Sequence, residues 1–497
     1  MEPLPNRVRN VYTFSFNVII EHGCMSIRVE KEVFSMVEHE LLSSLLKRTL
    51  SRGGEYADIF VERKSVTSIQ LEDNRIEKVV SGVDCGVGIR LISGYRTAYG
   101  FSNDFSENAL SDLALTLSKT FSGATIERPF DRRQEKPKPT FAIQTLPDGV
   151  PAGRKIQLAK AANRVARSMD SRIKQVMVAY LDSMQDVQIA TSEGTIAEDR
   201  RVHTVAAVRV IAADGGIIQT GYEAEGGHIG FELFDTVSIE EISARASQRA
   251  ITMLTARRAP GGRMPVIISS AAGGTLIHEA IGHGLEADLV QQGLSVFSHR
   301  VGMEVASHLM TVIDDSTIPG KRGSSRFDDE GVLSRRTVLV DKGILRGYLY
   351  DRITALRDGA DPTGNGRRES YRHRPIPRMT NTFIAPGDSS PAEVIRSASK
   401  GLFVKKMGGG QVNTVTGDFV FDVQEGYMIE NGEVGEPIRG ATLSGNGPDV
   451  LKSVDMVASD LGFSIGTCGK DAQGVPVSDA MPTIRVPEMV VGGEVCV

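Results

Sequence analysis

The sequence has no tryptophan, only four cysteines, and no apolar run near the roughly 18 residues that a membrane helix needs. No membrane span is therefore expected. Cys24, Cys85, Cys468 and Cys496 form no C-x-x-C pair and are few for 497 residues. That argues against a disulfide framework and points to a reducing cytoplasm. Basic residues are not in excess either: 57 Lys and Arg face 62 Asp and Glu, a net charge of -5. A general nucleic-acid binder would show the opposite balance, so no direct nucleic-acid contact is expected. Low-complexity segments are absent. The N-terminal stretch VYTFSFNVII is short, contains Asn17 and is followed by no small-residue cleavage site, which argues against a signal peptide. Residues 1–24 are read as an extension, with folded structure beginning near Met25.

What remains is an ordinary globular composition, 40% hydrophobic and 24% charged, in a chain too long for one simple core. Phe34, Val37, Leu41, Leu42 and Leu45 lie at helical spacing. Strand-like runs follow at 57–63, 66–72, 75–80, 86–92 and 96–102, with turn signals at Asp73-Asn74 and Ser93-Gly94. A helix near 107–121 ends this first α/β unit, 25–134. The Pro-, Gly- and charge-rich stretch 135–152 reads as a linker. The pattern then repeats in kind over 153–255: a helix at 153–169, strands at 173–181, 185–192, 201–212 and 216–224, and a helix at 239–255 that starts on a Ser238/Glu241 capping box. From 256 the texture becomes Gly-rich with short strands, including hairpins around Lys342-Gly343 and Asn431-Gly432. The expected class is α+β: two helix–antiparallel-sheet units followed by a β-rich, metal-binding domain over 256–497.

The segment HEAIGHGLEAD, 278–288, resembles the zinc-protease helix motif H-E-x-x-H but has one residue too many between Glu279 and His283. On a regular helix, residues five apart point ~140° from each other and cannot share an ion. Either the helix ends near His283, or it carries a π-bulge, which absorbs the extra residue. Gly282 and Gly284 flank His283 and accept such a backbone. Taken alone, two histidines on a Gly-broken helix are more often bland than metal-binding. A catalytic zinc needs a third protein ligand. Cys468 offers a thiolate, although a lone cysteine is commonly just a small buried hydrophobe. Glu286 and Asp288 are the local alternatives.

The longer segments TGNGRRESYRHRPIPRMTNTFIAPG, GGGQVNTVTGDFVFDVQEGYMIENGEVGEPIRGATLSGNGP and IGTCGKDAQGVPVSDAMPTIRV, in this order after HEAIGHGLEAD, resemble the TldD branch of the TldD/PmbA metalloproteases. The likeness is dense over 256–497 and looser before it. It implies a Zn²⁺ site carried by His278, His283 and Cys468, with Glu279 as the catalytic base. It also implies a PmbA/TldE-type partner subunit, with a homodimer as the alternative, and unfolded or short peptides as substrates. Family members are also described as modulators of DNA gyrase, so a non-enzymatic binding role is the competing function. The basic run holding Arg367, Arg372 and His373 is a candidate for binding a peptide carboxylate, or else a set of loop salt bridges. Two other motifs fail. Ser464 sits in a G-x-S-x-G pattern, but no histidine follows it as a serine hydrolase requires. GTCGKD lacks the first glycine and the Ser or Thr of a phosphate loop.

Overall fold

The computed structural model describes residues 17–21, 24–28, 36–121, 123, 133–134, 137 and 141–494. Most of the expected extension, 1–24, and of the stretch 122–140 lies outside the described residues. Asn17–Glu21 pairs with Cys24–Arg28 as an antiparallel hairpin.

The N-terminal half is built on very long strands. Tyr56–Glu72, Arg75–Ser93, Ile173–Thr191 and Thr195–Asp214 each run 17 to 20 residues. The sequence predicts breaks inside three of them, at the polar stretches near Arg63-Lys64-Ser65, Ser81-Gly82 and Asp182-Ser183. The structure corrects this: pairing continues through all three, because neighbouring strands satisfy the backbone on at least one side throughout. Polar residues there break the apolar alternation without breaking the ladder. Asp73-Asn74 turns the first hairpin with both residues at positive φ, 46° and 69°. That conformation matches the twist of paired strands and suits Asn and Asp.

All these strands join one seven-stranded sheet, in which Tyr56–Glu72 and Ile173–Thr191 are central neighbours. The two helix–sheet patterns of the sequence thus share a single sheet. Helices His39–Thr49 and Glu107–Ser118 cover one part of it around Leu42, Leu46, Ile89 and Leu110. Helices Ala152–Met169 and Ile239–Thr255 cover another around Ala162, Val178, Val208 and Ile242. The Ser238/Glu241 capping box forms as expected. Buried ion pairs tie this sheet to the rest of the chain: Arg90 bonds Asp58 and, at 2.6 Å, Glu330, and Arg201 bonds Asp329 at 2.6 Å.

After residue 256 two further sheets share a large apolar core that includes Ile268, Ile281, Leu285, Met379, Phe421 and Val486. In the first, strands Asp418–Glu430, Lys400–Val412, Gly262–Ile268, Ile484–Gly492 and Thr442–Asn446 pair in that order, and the last returns to pair with the first. Five strands therefore close into a ring, with further strands attached at the side. The second sheet has six strands, ending in Asn381–Ile384, Gln473–Met481 and, outermost, Gly462–Lys470. Hairpin turns at Lys342-Gly343 and Asn431-Gly432 sit at positive φ where the sequence puts them. No helix among the described residues is long and apolar enough to cross a membrane.

Candidate metal centre

Strand Gly262–Ile268 leads through Gly273-Gly274 into a short helical segment. Gly274 is required there: a Cβ would lie 2.2 Å from the Ala480 backbone nitrogen. The segment begins as α-helix, Thr275–Ile277, becomes π-helix over His278–Gly282, and tightens to a 3₁₀ turn over His283–Leu285. The His283 N–H donates to the His278 carbonyl, an i→i+5 bond. The extra residue between the two histidines is thus absorbed by one wide turn. Their rings come to 5.0 Å between centroids, nearly perpendicular.

Cys468 sits on the outer strand Gly462–Lys470 and is 2% exposed, between two exposed neighbours, Thr467 and Gly469. Its Sγ lies 3.6 Å from His283 Nε2. One ligand atom from each of His278, His283 and Cys468 falls within 4.8 Å of the others. Zinc–sulfur and zinc–nitrogen bonds of ~2.3 and ~2.0–2.1 Å at a tetrahedral angle put ligand atoms ~3.6 Å apart. The donor set and its spacing therefore fit a zinc-sized ion. Glu279, next to His278, is half-buried and makes no hydrogen bond among the described residues. Burial raises its pKa above the usual carboxylate value, against the pull of His278 and His283.

The surroundings orient the His283 ring and place a carboxylate near His278. Glu286, fully buried, accepts from His283 Nδ1 at 3.0 Å. Lys470 Nζ reaches the same carboxylate at 3.1 Å and Asp288 at 2.6 Å. Burial alone would raise the Glu286 pKa, but His283 and Lys470 hold it down at about 2. On the other side Asp479 stands 3.7 Å from His278 Nδ1 and is bonded by Ser464, whose Oγ also accepts from the Gly274 N–H. Arg378 donates to the Cys468 carbonyl. Burial pushes the Cys468 thiol up, yet hydrogen bonding with His278 and His283 outweighs it and brings it to about 5, a thiolate at neutral pH. Both histidines face Cys468; His283 is backed by the hydrogen-bonded carboxylate of Glu286, the arrangement that orients an imidazole ligand, and Asp479 stands near His278 without a hydrogen bond to it.

Glu286, a local alternative to Cys468 in the sequence, occupies the far side of the His283 ring from the thiol. Asp479, Arg378 and Lys470 were not singled out as site residues by sequence reasoning; they are distant in the chain, and nothing local marks them. The basic run divides. Arg367 caps the Met379 and Pro476 carbonyls at 2.5 and 2.7 Å. Arg372 pairs with Asp84 at 2.5 Å on an exposed surface. His373 bonds Ser370 at 3.1 Å. None of the three bonds His278, Glu279, His283 or Cys468 among the described residues.

Gly282 closes the π-turn against Met379, which is fully buried. A Cβ at 282 would stand 2.1 Å from the Met379 sulfur. Gly282→Ala is expected to destabilise the fold by ~1–3 kcal/mol through overpacking and to lower retained metal after dialysis. A variant with wild-type metal content and melting temperature would show that the turn tolerates the side chain.

Comparison with known proteins follows the same lines. Family models described as PmbA/TldA metallopeptidase domain 1, central domain and C-terminal domain match residues 57–120, 145–254 and 261–493. The Metalloprotease TldD homolog of Haemophilus influenzae is 34% identical over 96% of this chain and 98% of its own. The Zinc metalloprotease TldD homolog of Saccharolobus solfataricus is 29% identical over 90% of this chain and 99% of its own. TldE from Thermococcus kodakarensis shares the fold, with a TM-score of 0.74, 19% identity, and coverage of 91% of this chain and 100% of that one. With family models spread along the chain and a TldD-type relative matching it nearly end to end, the chain belongs to the PmbA/TldD metallopeptidases, in their TldD branch.

Proposed function

We propose that this chain hydrolyses peptide bonds in short or unfolded peptides, using a zinc ion held by His278, His283 and Cys468. The observation that carries this is the convergence of two imidazoles and a thiol, supplied by an i→i+5 turn and a distant strand, beside the unbonded carboxyl of Glu279. A structural zinc usually takes four protein ligands, whereas three protein donors leave a position for chemistry. Bound there, zinc supplies a Lewis acid for the scissile carbonyl and lowers the pKa of water toward ~7. Glu279 takes the proton of the attacking water and passes it to the departing amine. Its pKa, raised by burial, suits a group that must both accept and release a proton. Glu286 holds the His283 ring in place while this happens. Arg367, Arg372 and His373 remain candidates for contacts to substrate.

A TldE-type subunit is the proposed partner, with a homodimer as the alternative. A reducing, cytoplasmic setting suits a site that depends on a free thiolate.

Purified protein is expected to carry close to one equivalent of zinc and to cleave an unstructured peptide. A chelator should abolish cleavage, and added zinc should restore it. A zinc-loaded, partnered chain that leaves such peptides intact overturns the proposal.

A further inference from the structure

We infer that the cavity between the N-terminal sheet and the strand bearing Cys468 is a carboxylate-binding subsite for the peptide, formed by Lys64, Arg322 and Arg367. This rests on the peptidase function proposed above and names a feature of its substrate.

The cavity holds about 180 Å³. One wall is the polar middle of the long strands, where Lys64, Arg201 and His203 stand. The facing wall includes Arg322, Arg367 and Thr467. Of its carboxylates, Asp329 bonds a cationic side chain, while Asp328 and Glu369 are bonded by backbone N–H groups. Asp329 accepts from Arg201 at 2.6 Å and from the Arg368 N–H at 2.7 Å. Asp328 accepts the N–H groups of Glu330, Val332 and Gly366. Glu369 accepts the Gly474 N–H at 2.6 Å.

Three of the cations are not matched in this way. Arg322 donates to the Gly466 carbonyl and to Thr467 Oγ1, and its buried Nε has no partner. Arg367 bonds only carbonyl oxygens, those of Met379 and Pro476. The Lys64 ammonium makes no hydrogen bond or salt bridge among the described residues; Glu62 lies near enough to feel its charge, as Asp329 does that of Arg367, but neither carboxylate is bonded to these cations. Partly buried cations without an anion are costly. An incoming carboxylate relieves that cost and gains charge-assisted hydrogen bonds.

The position suits a substrate. Arg322 grips Gly466 and Thr467, and Arg367 holds Pro476, the cross-strand partner of Thr467. Cys468 is the next residue, and alternation along the strand turns its side chain to the opposite face. The subsite therefore lies across this two-stranded ribbon from the thiol. The Cys468 strand is outermost in its sheet, with Ile217–Gly227 and Ser270–Ala272 packed against part of it, so the route for a peptide runs around the part they leave uncovered. An extended chain covers ~3.3 Å per residue, which places the recognised carboxylate a few residues from the scissile bond. Two sources have this chemistry: the peptide's α-carboxylate and an Asp or Glu side chain.

The test uses the zinc-loaded full chain carrying Glu279→Gln. It measures binding of a fluorescent pentapeptide as the free acid, as the C-terminal amide, and as an amide containing one Asp. At least one carboxylate form should bind about tenfold or more tighter than the neutral amide. Lys64→Met and Arg322→Gln should each erase most of that preference, while Lys64→Arg retains it. Preference for the free acid identifies the α-carboxylate, and preference for the Asp peptide identifies the side chain. Equal binding of all three forms, by a chain whose wild type cleaves them, overturns the subsite alone. No binding of any form, by a chain whose wild type cleaves none, overturns the peptidase function and the subsite with it.

Discussion

Replacing Glu279 by Gln is expected to leave zinc content unchanged and to slow cleavage of an unstructured peptide by roughly 10²–10⁴, the range for a lost general base. The separation of the two readouts is the informative part. Glu279 makes no hydrogen bond among the described residues, so the amide disturbs no packing or bonding network. It is also not among the three residues whose donor atoms converge. The substitution keeps size and removes only the proton-accepting oxygen. Metal analysis and cleavage rates on the same preparation read both effects. Equal rates for wild type and variant would remove Glu279 from the chemistry and favour a binding role for the chain. Loss of zinc in the variant would move Glu279 into the ligand set.

The second large effect is expected at Cys468. Cys468→Ser replaces a thiolate by a hydroxyl, which is far harder and remains protonated at neutral pH. Metal retention after dialysis should fall sharply and activity should fall with it. The fold should survive, because serine is nearly isosteric and its neighbours in the Gly462–Lys470 strand keep their pairing with Gln473–Met481. A circular dichroism spectrum matching wild type, with metal lost, is the expected combination. Stoichiometric zinc in the serine variant would exclude the cysteine as a ligand. Glu286 would then be the nearest alternative, but it would have to leave His283 and Lys470, which together hold its charge in place.

The parts of the molecule that depend on neighbours in sequence were legible without coordinates. The spacing of His278 and His283 left two options, a helix ending near His283 or a π-bulge, and the i→i+5 bond is the second. The Ser238 cap and the turns at Asp73-Asn74, Lys342-Gly343 and Asn431-Gly432 also rest on local chemistry, and all formed. Where the reading stopped, the cause was distance or ambiguity of pattern. Polar residues inside long strands look like strand ends, as Lys64 and Ser183 do. In the folded chain they line a polar cavity. Asp479 and Arg378 carry no local signature at all. Their roles exist only because strand Gln473–Met481 runs beside the π-turn and Arg378 reaches the Cys468 carbonyl. Cys468 itself was accessible through resemblance to a family and not through any spacing rule. The basic run looked uniform as letters, yet Arg367 turns inward and Arg372 outward.

The separation between His283 and Cys468 is 185 residues, and the five-stranded ring closes only when Ile484–Gly492 takes its place beside Gly262–Ile268. Contacts of such long range form late, because the loop between them must be ordered before they reward it. During synthesis the two histidines leave the ribosome long before the thiol does. A nascent chain therefore carries the proposed base and two of the three proposed donors before the third has been made. The three proposed donors can therefore meet only after the Gly462–Lys470 strand has been made and has paired in its sheet.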